Sequence, residues 1–97
     1  MKKITQENKD QILTDNPKVV VKFGASWCGP CKAYDRILDS IQSDDLPLYS
    51  CEVEDATEWF KELGIKAIPA TLVFENGVEV ERRGGVQSAD VITKLLV

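Results

Sequence analysis

The chain has 97 residues, 43% apolar and 29% charged, with 12 basic against 16 acidic side chains for a net charge of −4. That length carries one domain, residues 1–97, with a compact core, and excludes a second domain or a large cofactor cavity. The acidic balance argues against nucleic-acid and anionic-membrane partners, and the absence of histidine removes Ser–His–Asp and Cys–His catalysis and histidine-ligated metals.

Met1 to Thr5 reads as a short edge strand. No apolar run follows its two lysines, so a secretory leader is not expected, and no later segment approaches the ~20 apolar residues of a membrane helix. Gln6 to Asp15 is a weakly amphipathic helix ended by Asn16-Pro17, because proline disfavours helix in the residue before it. Lys18 to Gly24 (KVVVKFG) is a β-branched run suited to a strand buried on both faces. Cys28 to Ser43 carries Tyr34, Ile37, Leu38 and Ile41 at helical spacing. Asp44, Asp45 and Pro47 form a loop, and Leu48 to Val53 is the next strand.

Asp55 and Glu58 have capping-box spacing ahead of Trp59, Phe60 and Leu63, and Gly64 is a C-terminal stop. Ala70 to Glu75 is a long strand. Asn76-Gly77 then signals a tight hairpin, since a type I′ turn needs positive φ at both central residues. Val78 to Arg83 is its half-exposed partner, broken by Gly84-Gly85. Ser88 caps a last helix bearing Val91, Ile92, Leu95 and Leu96. The order β-α-β-α-β-α-β-β-α predicts a small mixed sheet with helices on both faces.

The chemistry concentrates in Trp27-Cys28-Gly29-Pro30-Cys31-Lys32, where a buried strand gives way to a helix. Two cysteines three apart at a helix start can close a small disulfide ring. Unpaired N–H groups and the helix dipole favour a thiolate at Cys28, the form that attacks disulfides. Cys31, one turn deeper, suits the resolving role. Pro30 presets φ for the helix start and stiffens the ring. Half of a zinc site is the main competing use of such a pair, but zinc wants two further ligands and Cys51 is the only other soft donor. Two structural cysteines with no redox task are the other alternative. Three cysteines, an odd number, make no disulfide scaffold and suit a reducing cytoplasm.

These residues resemble the thioredoxin family. The resemblance runs through Phe23, Ala25, Ser26, the WCGPCK segment at 27–32, Gly64-Ile65, Ile68-Pro69, Phe74-Glu75-Asn76-Gly77 and Gly85. It implies the thioredoxin fold, an α/β domain with a central mixed five-stranded sheet flanked by four helices. It also implies a cis Ile68-Pro69 bond and a substrate groove formed by Trp27, Gly29, Pro30, Ile68, Pro69 and Gly85 around the outer sulfur. A core position for Trp27 and a plain loop role for Gly85 are the alternatives.

The chain departs from the family at three points. Lys22 stands where the family has a buried aspartate implicated in proton transfer with the deeper cysteine, and Ser50 stands at the position of that aspartate's lysine partner. Ala70 replaces the threonine that follows the proline. Glu52 lies two residues from Ser50 on the same strand face and is the expected counter-ion of Lys22. Lys22 and Glu52 are therefore candidates for proton transfer or electrostatic tuning, with a solvent-reaching Lys22 as the alternative. Cys51 reads as a small buried hydrophobe, with regulatory oxidation as its alternative.

The expected function is a protein-disulfide reductase cycling Cys28 and Cys31. The resemblance implies disulfide-containing protein substrates and a thioredoxin reductase or equivalent electron donor. Neither a cofactor nor a metal is expected beyond the redox-active disulfide, and the expected state is a cytoplasmic monomer. A thioredoxin-fold binding module or accessory subunit is the alternative from another class. An oxidase or isomerase is the alternative within the same chemistry.

Overall fold

A computed structural model describes residues 1–97. The elements are β1 (Lys2–Lys3), α1 (Lys9–Asp15), β2 (Lys18–Gly24), α2 (Gly29–Ile41), β3 (Leu48–Glu52), α3 (Thr57–Leu63), β4 (Ala70–Glu75), β5 (Val78–Gly84) and α4 (Ala89–Leu96), with a 3₁₀ turn at Val53–Asp55 before α3. The five strands form one sheet in the order β1-β3-β2-β4-β5. The first two pairings, β1 with β3 and β3 with β2, are parallel. β4 runs antiparallel to both β2 and β5. The mixed sheet and four helices match the architecture expected from the sequence.

β2 is central, and its side chains alternate between two cores. Val19, Val21 and Phe23 join Trp59, Phe60, Leu72 and Phe74 on one face, with Ile12 and Leu13 of α1 packed against them. Val20 joins Tyr34, Leu38, Leu48, Val73 and Ile92 on the other, under α2 and α4. Phe23 meets Trp59 and Phe60 edge to face, with centroids 5.1 and 5.2 Å apart, a favoured arrangement for aromatic quadrupoles.

Most element boundaries follow the expected punctuation. Asn76 and Gly77 both have positive φ, 52° and 83°, as the hairpin requires. Gly64 adopts φ 66° and closes α3 through bonds from its N–H to the Phe60 and Lys61 carbonyls. Ser88 accepts the Val91 N–H and caps α4.

The start of α3 differs from expectation. Ala56 is its N-cap and no side chain of the Asp55–Glu58 box caps it. Instead the Trp59 N–H donates to Gln6 Oε1 at 3.0 Å, a partner 53 residues away. The donor that a local cap would have satisfied is met by the N-terminal segment.

Candidate active site

Cys28 and Cys31 sit where β2 turns into α2, and they are bridged, with their Cα atoms 5.3 Å apart. Cys28 is the N-cap of α2, just before the first helical residue, and Pro30 occupies the first turn. Its Sγ accepts the Cys31 N–H at 3.2 Å. One of the orphan donors of the helix start therefore points at this sulfur, which favours negative charge there. Cys28 is 7% exposed and Cys31 1%, so the outer sulfur is the one a partner meets first. Ala25 packs with both cysteines, and Val53 and Ile68 border them.

Of the other residues expected in a groove, Ile68 borders the pair, and Trp27, Gly29 and Pro30 adjoin the cysteines in the chain. Trp27 is 74% exposed, which removes the core alternative. Ile68-Pro69 is cis. The Gly85 N–H donates to the Pro69 carbonyl at 2.8 Å, and Gly85 itself has φ 81°, a conformation that favours glycine. Ahead of the cysteines, the Ser26 hydroxyl donates to Glu54 Oε1 at 2.9 Å. Hydrogen bonds from the Glu54 backbone and from Ser26 hold that carboxyl below its ordinary value.

Lys22 is buried, with its side chain 2% exposed, so it does not reach solvent past the sheet end. Its expected pairing with Glu52 is not made. The Lys22 ammonium donates to Asp35 Oδ1 at 2.6 Å, while Glu52 Oε1 faces Lys3 Nζ at 3.6 Å. The physical reason is the helix overhead. Lys22 and Ser50 are cross-strand partners on the face that α2 covers, and α2 brings Asp35 down onto that face one turn after Cys31. A strand-alternation argument finds the neighbours within the sheet and is silent about the helix above it. The i, i+4 spacing of Cys31 and Asp35 was the available signal, since it places both on one helical face.

Gly24 is the second residue that sequence reasoning passed over. A Cβ on Gly24 would lie 3.0 Å from Cys31 Sγ and 3.1 Å from both Cε and Nζ of Lys22. A side chain at position 24 would press on both the inner sulfur and the lysine end, which glycine leaves side by side. The two atoms share one spot, so Cys31 Sγ and Lys22 Nζ are at most about 6 Å apart.

Cys51 is a free, buried thiol on β3 within the aromatic-rich core. Burial, and then the nearby carboxylates of Asp55 and Glu52, push it up to about 12, so it is inert as a nucleophile near neutrality. No cluster of three or more Cys, Asp or Glu side chains could hold a metal ion. No helix is long and apolar enough to cross a membrane.

Comparison with known proteins agrees with this geometry. The family model described as Thioredoxin matches residues 1–97. The chain is similar to a thioredoxin of Mycoplasmoides gallisepticum, 36% identical with 99% of each chain covered. It is also similar to a protein disulfide-isomerase of Drosophila melanogaster, 35% identical over 91% of this chain but only 19% of that protein. Among solved structures, a mutant thioredoxin from Halobacterium salinarum superposes with a TM-score of 0.85 at 25% identity, covering 99% of this chain and 86% of that one. With its whole length matched and a dithiol–disulfide couple where the central strand meets the longest helix, the chain belongs to the thioredoxin family and is a protein thiol–disulfide oxidoreductase.

Proposed function

We propose that this oxidoreductase works as a protein-disulfide reductase, with Cys28 as the attacking thiol and Cys31 as the resolving one. The observation that carries the assignment is the asymmetry of the two sulfurs. Cys28 is the helix cap, accepts a backbone N–H and is the more exposed, whereas Cys31 is enclosed. In the reduced protein the Cys28 thiolate attacks one sulfur of a substrate disulfide, and the other substrate sulfur leaves as a thiolate that takes up a proton from water. Cys31, having lost its proton, then attacks Cys28 Sγ. The Cys28–Cys31 bond forms, the mixed disulfide breaks, and the second substrate thiolate departs. The two electrons gained by the substrate come from the dithiol, with no bound cofactor.

Trp27, Gly29, Pro30, Ile68, Pro69 and Gly85 form the surface on which an extended substrate segment lies. The exposure of Trp27 and the joining of Gly85 to Pro69 by a hydrogen bond support that reading. A thioredoxin reductase or equivalent donor resets the disulfide. The working form is a single-domain monomer in a reducing cytoplasm, where a dithiol is kept available.

Cys31→Ser should accumulate a mixed disulfide with insulin-type substrates and Cys28→Ser should not. Trapping by Cys28→Ser alone would reverse the two roles. The reduction potential of the pair tests the direction of the reaction: a value near that of strong oxidants would make the chain an oxidase or isomerase, since ~30 mV is a tenfold change for a two-electron couple. Absence of any turnover would leave the binding-module reading.

A further inference from the structure

The Lys22–Asp35 pair lies directly behind the resolving sulfur, and its geometry is specific. The ammonium is enclosed, with its side chain 2% exposed, while the Asp35 side chain is 40% exposed. An ammonium has three donors, and the one protein hydrogen bond of Lys22 goes to Asp35. Nζ also shares the space beside Gly24 with Cys31 Sγ. A thiolate on Cys31, within about 6 Å of Nζ, therefore lies in the field of the ammonium.

The remaining charged and titratable groups near this spot are engaged elsewhere. On α2, Asp39 faces the Met1 amine at 3.8 Å, and Cys28, bridged to Cys31 here, is bonded to the substrate sulfur when Cys31 attacks. Lys3 and Glu52 face each other across β1 and β3. Cys51 stays protonated. Against β4, the Tyr34 hydroxyl bonds Thr71 Oγ1 at 2.7 Å and its ionisation is pushed up by burial. Asp35 alone anchors the ammonium. A cavity of about 180 Å³, lined by Met1, Lys3, Asp35, Asp39 and Ser50, opens beside it.

We infer that Asp35 is a positioning residue that acts through Lys22: it holds the ammonium against Cys31 so that the positive field stabilises the thiolate that resolves the mixed disulfide. The inference deepens the reductase reading and rests on Cys31 being the resolving thiol. The proton of Cys31 leaves to water before attack, and Lys22 acts through its field alone. A bare carboxylate one turn from Cys31 would by itself disfavour a thiolate. Asp35 helps only because it fixes the lysine. Without Asp35, the ammonium is free to turn outward toward Asp39 and the cavity, away from the sulfur.

The test is the titration of Cys31 in the reduced protein, followed through its ¹³Cβ resonance, with folding checked by thermal melting. Lys22→Met should raise the Cys31 titration by about one pH unit, a tenfold loss of thiolate below the midpoint. Asp35→Ala should also raise it in the parent. In the Lys22→Met background the same substitution should lower it or leave it unchanged, because only the repulsion of the carboxylate is then removed. Asp35→Glu should restore the parent value, and Asp35→Ser should repeat the alanine result if the alanine variant folds poorly.

Stopped-flow release of thionitrobenzoate from its mixed disulfide with Cys28 should slow about threefold in Lys22→Met. The tenfold loss of thiolate is partly offset by the greater nucleophilicity of a more basic sulfur. A downward shift for Asp35→Ala in both backgrounds would overturn the inference by making Asp35 a plain repulsive charge. An unmoved Cys31 titration in Lys22→Met would overturn it by making the pair purely structural. If the titrations move as expected while the parent fails to reduce insulin, the positioning role stands and the reductase reading falls.

Discussion

Val19, Val21 and Phe23 leave β2 toward one face of the sheet, and Val20 and Lys22 leave it toward the other. The first face meets α1 and α3 and closes with Phe23 edge to face on Trp59 and Phe60, and Trp59 stacked on Phe74. The second meets α2 and α4. It is aliphatic around Val20, Leu38, Leu48 and Ile92, but toward the cysteines it holds Lys22, Ser50 and Thr71, the three buried polar or charged residues of the chain. One strand thus supplies adhesion on one side and chemistry on the other. The buried polar groups sit at the end of the strand beside the disulfide, and only on the face that α2 covers.

The sharpest way to break this division is to strike the adhesive face. Phe23→Ala removes a ring that touches both Trp59 and Phe60 and should cost about 3–5 kcal/mol, read by urea or thermal unfolding, while the cysteines still form their disulfide in the folded fraction. A striking loss of redox chemistry in protein that remains folded would show that the two faces are not separable.

The polar face should respond to pairing. Asp35→Leu leaves the Lys22 ammonium without its acceptor. Half-solvation of Asp35 softens the loss expected for a buried pair, to about 2 kcal/mol. Lys22→Met combined with Asp35→Leu should come back to within about 1 kcal/mol of the parent, because an apolar pair of similar volume needs no counter-ion. A double variant no more stable than Asp35→Leu would mean that the cost lies in lost packing.

Gly24→Ala probes the seam between sulfur and lysine. The added methyl meets a sulfur fixed in a ring and the end of a long side chain. Of the two, the lysine end can give more easily. The expected cost is about 1–2 kcal/mol, and the Cys31 titration should move in the same direction as in Lys22→Met.

At neutral pH the smallest effect belongs to Cys51. Its thiol is raised from 9.0 to about 12 in the fold, so the native state holds its proton more tightly than the unfolded chain. The stability it contributes is fully present below pH 9 and is lost as pH rises toward 12, with a slope of up to ~1.4 kcal/mol per pH unit. Cys51→Ala should therefore show a shallower alkaline decline than the parent in unfolding titrations. Tyr34, also raised by burial, keeps part of the slope in both proteins.

Much of the fold was legible in the sequence because local residues decide the local structure. Pro17 stops α1, Asn76-Gly77 makes the hairpin, Gly64 and Ser88 bound their helices, and the β-branched run of β2 has the pattern of a strand buried on both faces. The cysteine pair was legible for the same reason, since the helix start and the reacting sulfur are one segment. What escaped lay between segments. The cap of α3 comes from Gln6, and the counter-ion of Lys22 comes from α2. Hydrophobic periodicity says which face an element buries but not which polar residue of another element will meet it. In sequence Asp35 is one of several polar residues on an amphipathic helix, and Gly24 is the last residue of a strand.

The two borders of the sheet bear on how the chain behaves at high concentration. β1 pairs through only two residues, Lys2 and Lys3, and offers too little free backbone to template another strand. β5 is longer, with Val78 and Val80 exposed, but its ladder with β4 is interrupted by a register shift at Val73/Phe74. Glu79 and Glu81 are tied to Arg82 and Arg83 along it. Short length at one border, and a bulge with paired charges at the other, are the devices by which β proteins resist edge-to-edge association. An oxidoreductase whose cysteines meet the disulfides of other proteins thereby avoids adding a strand of theirs as a sixth of its own.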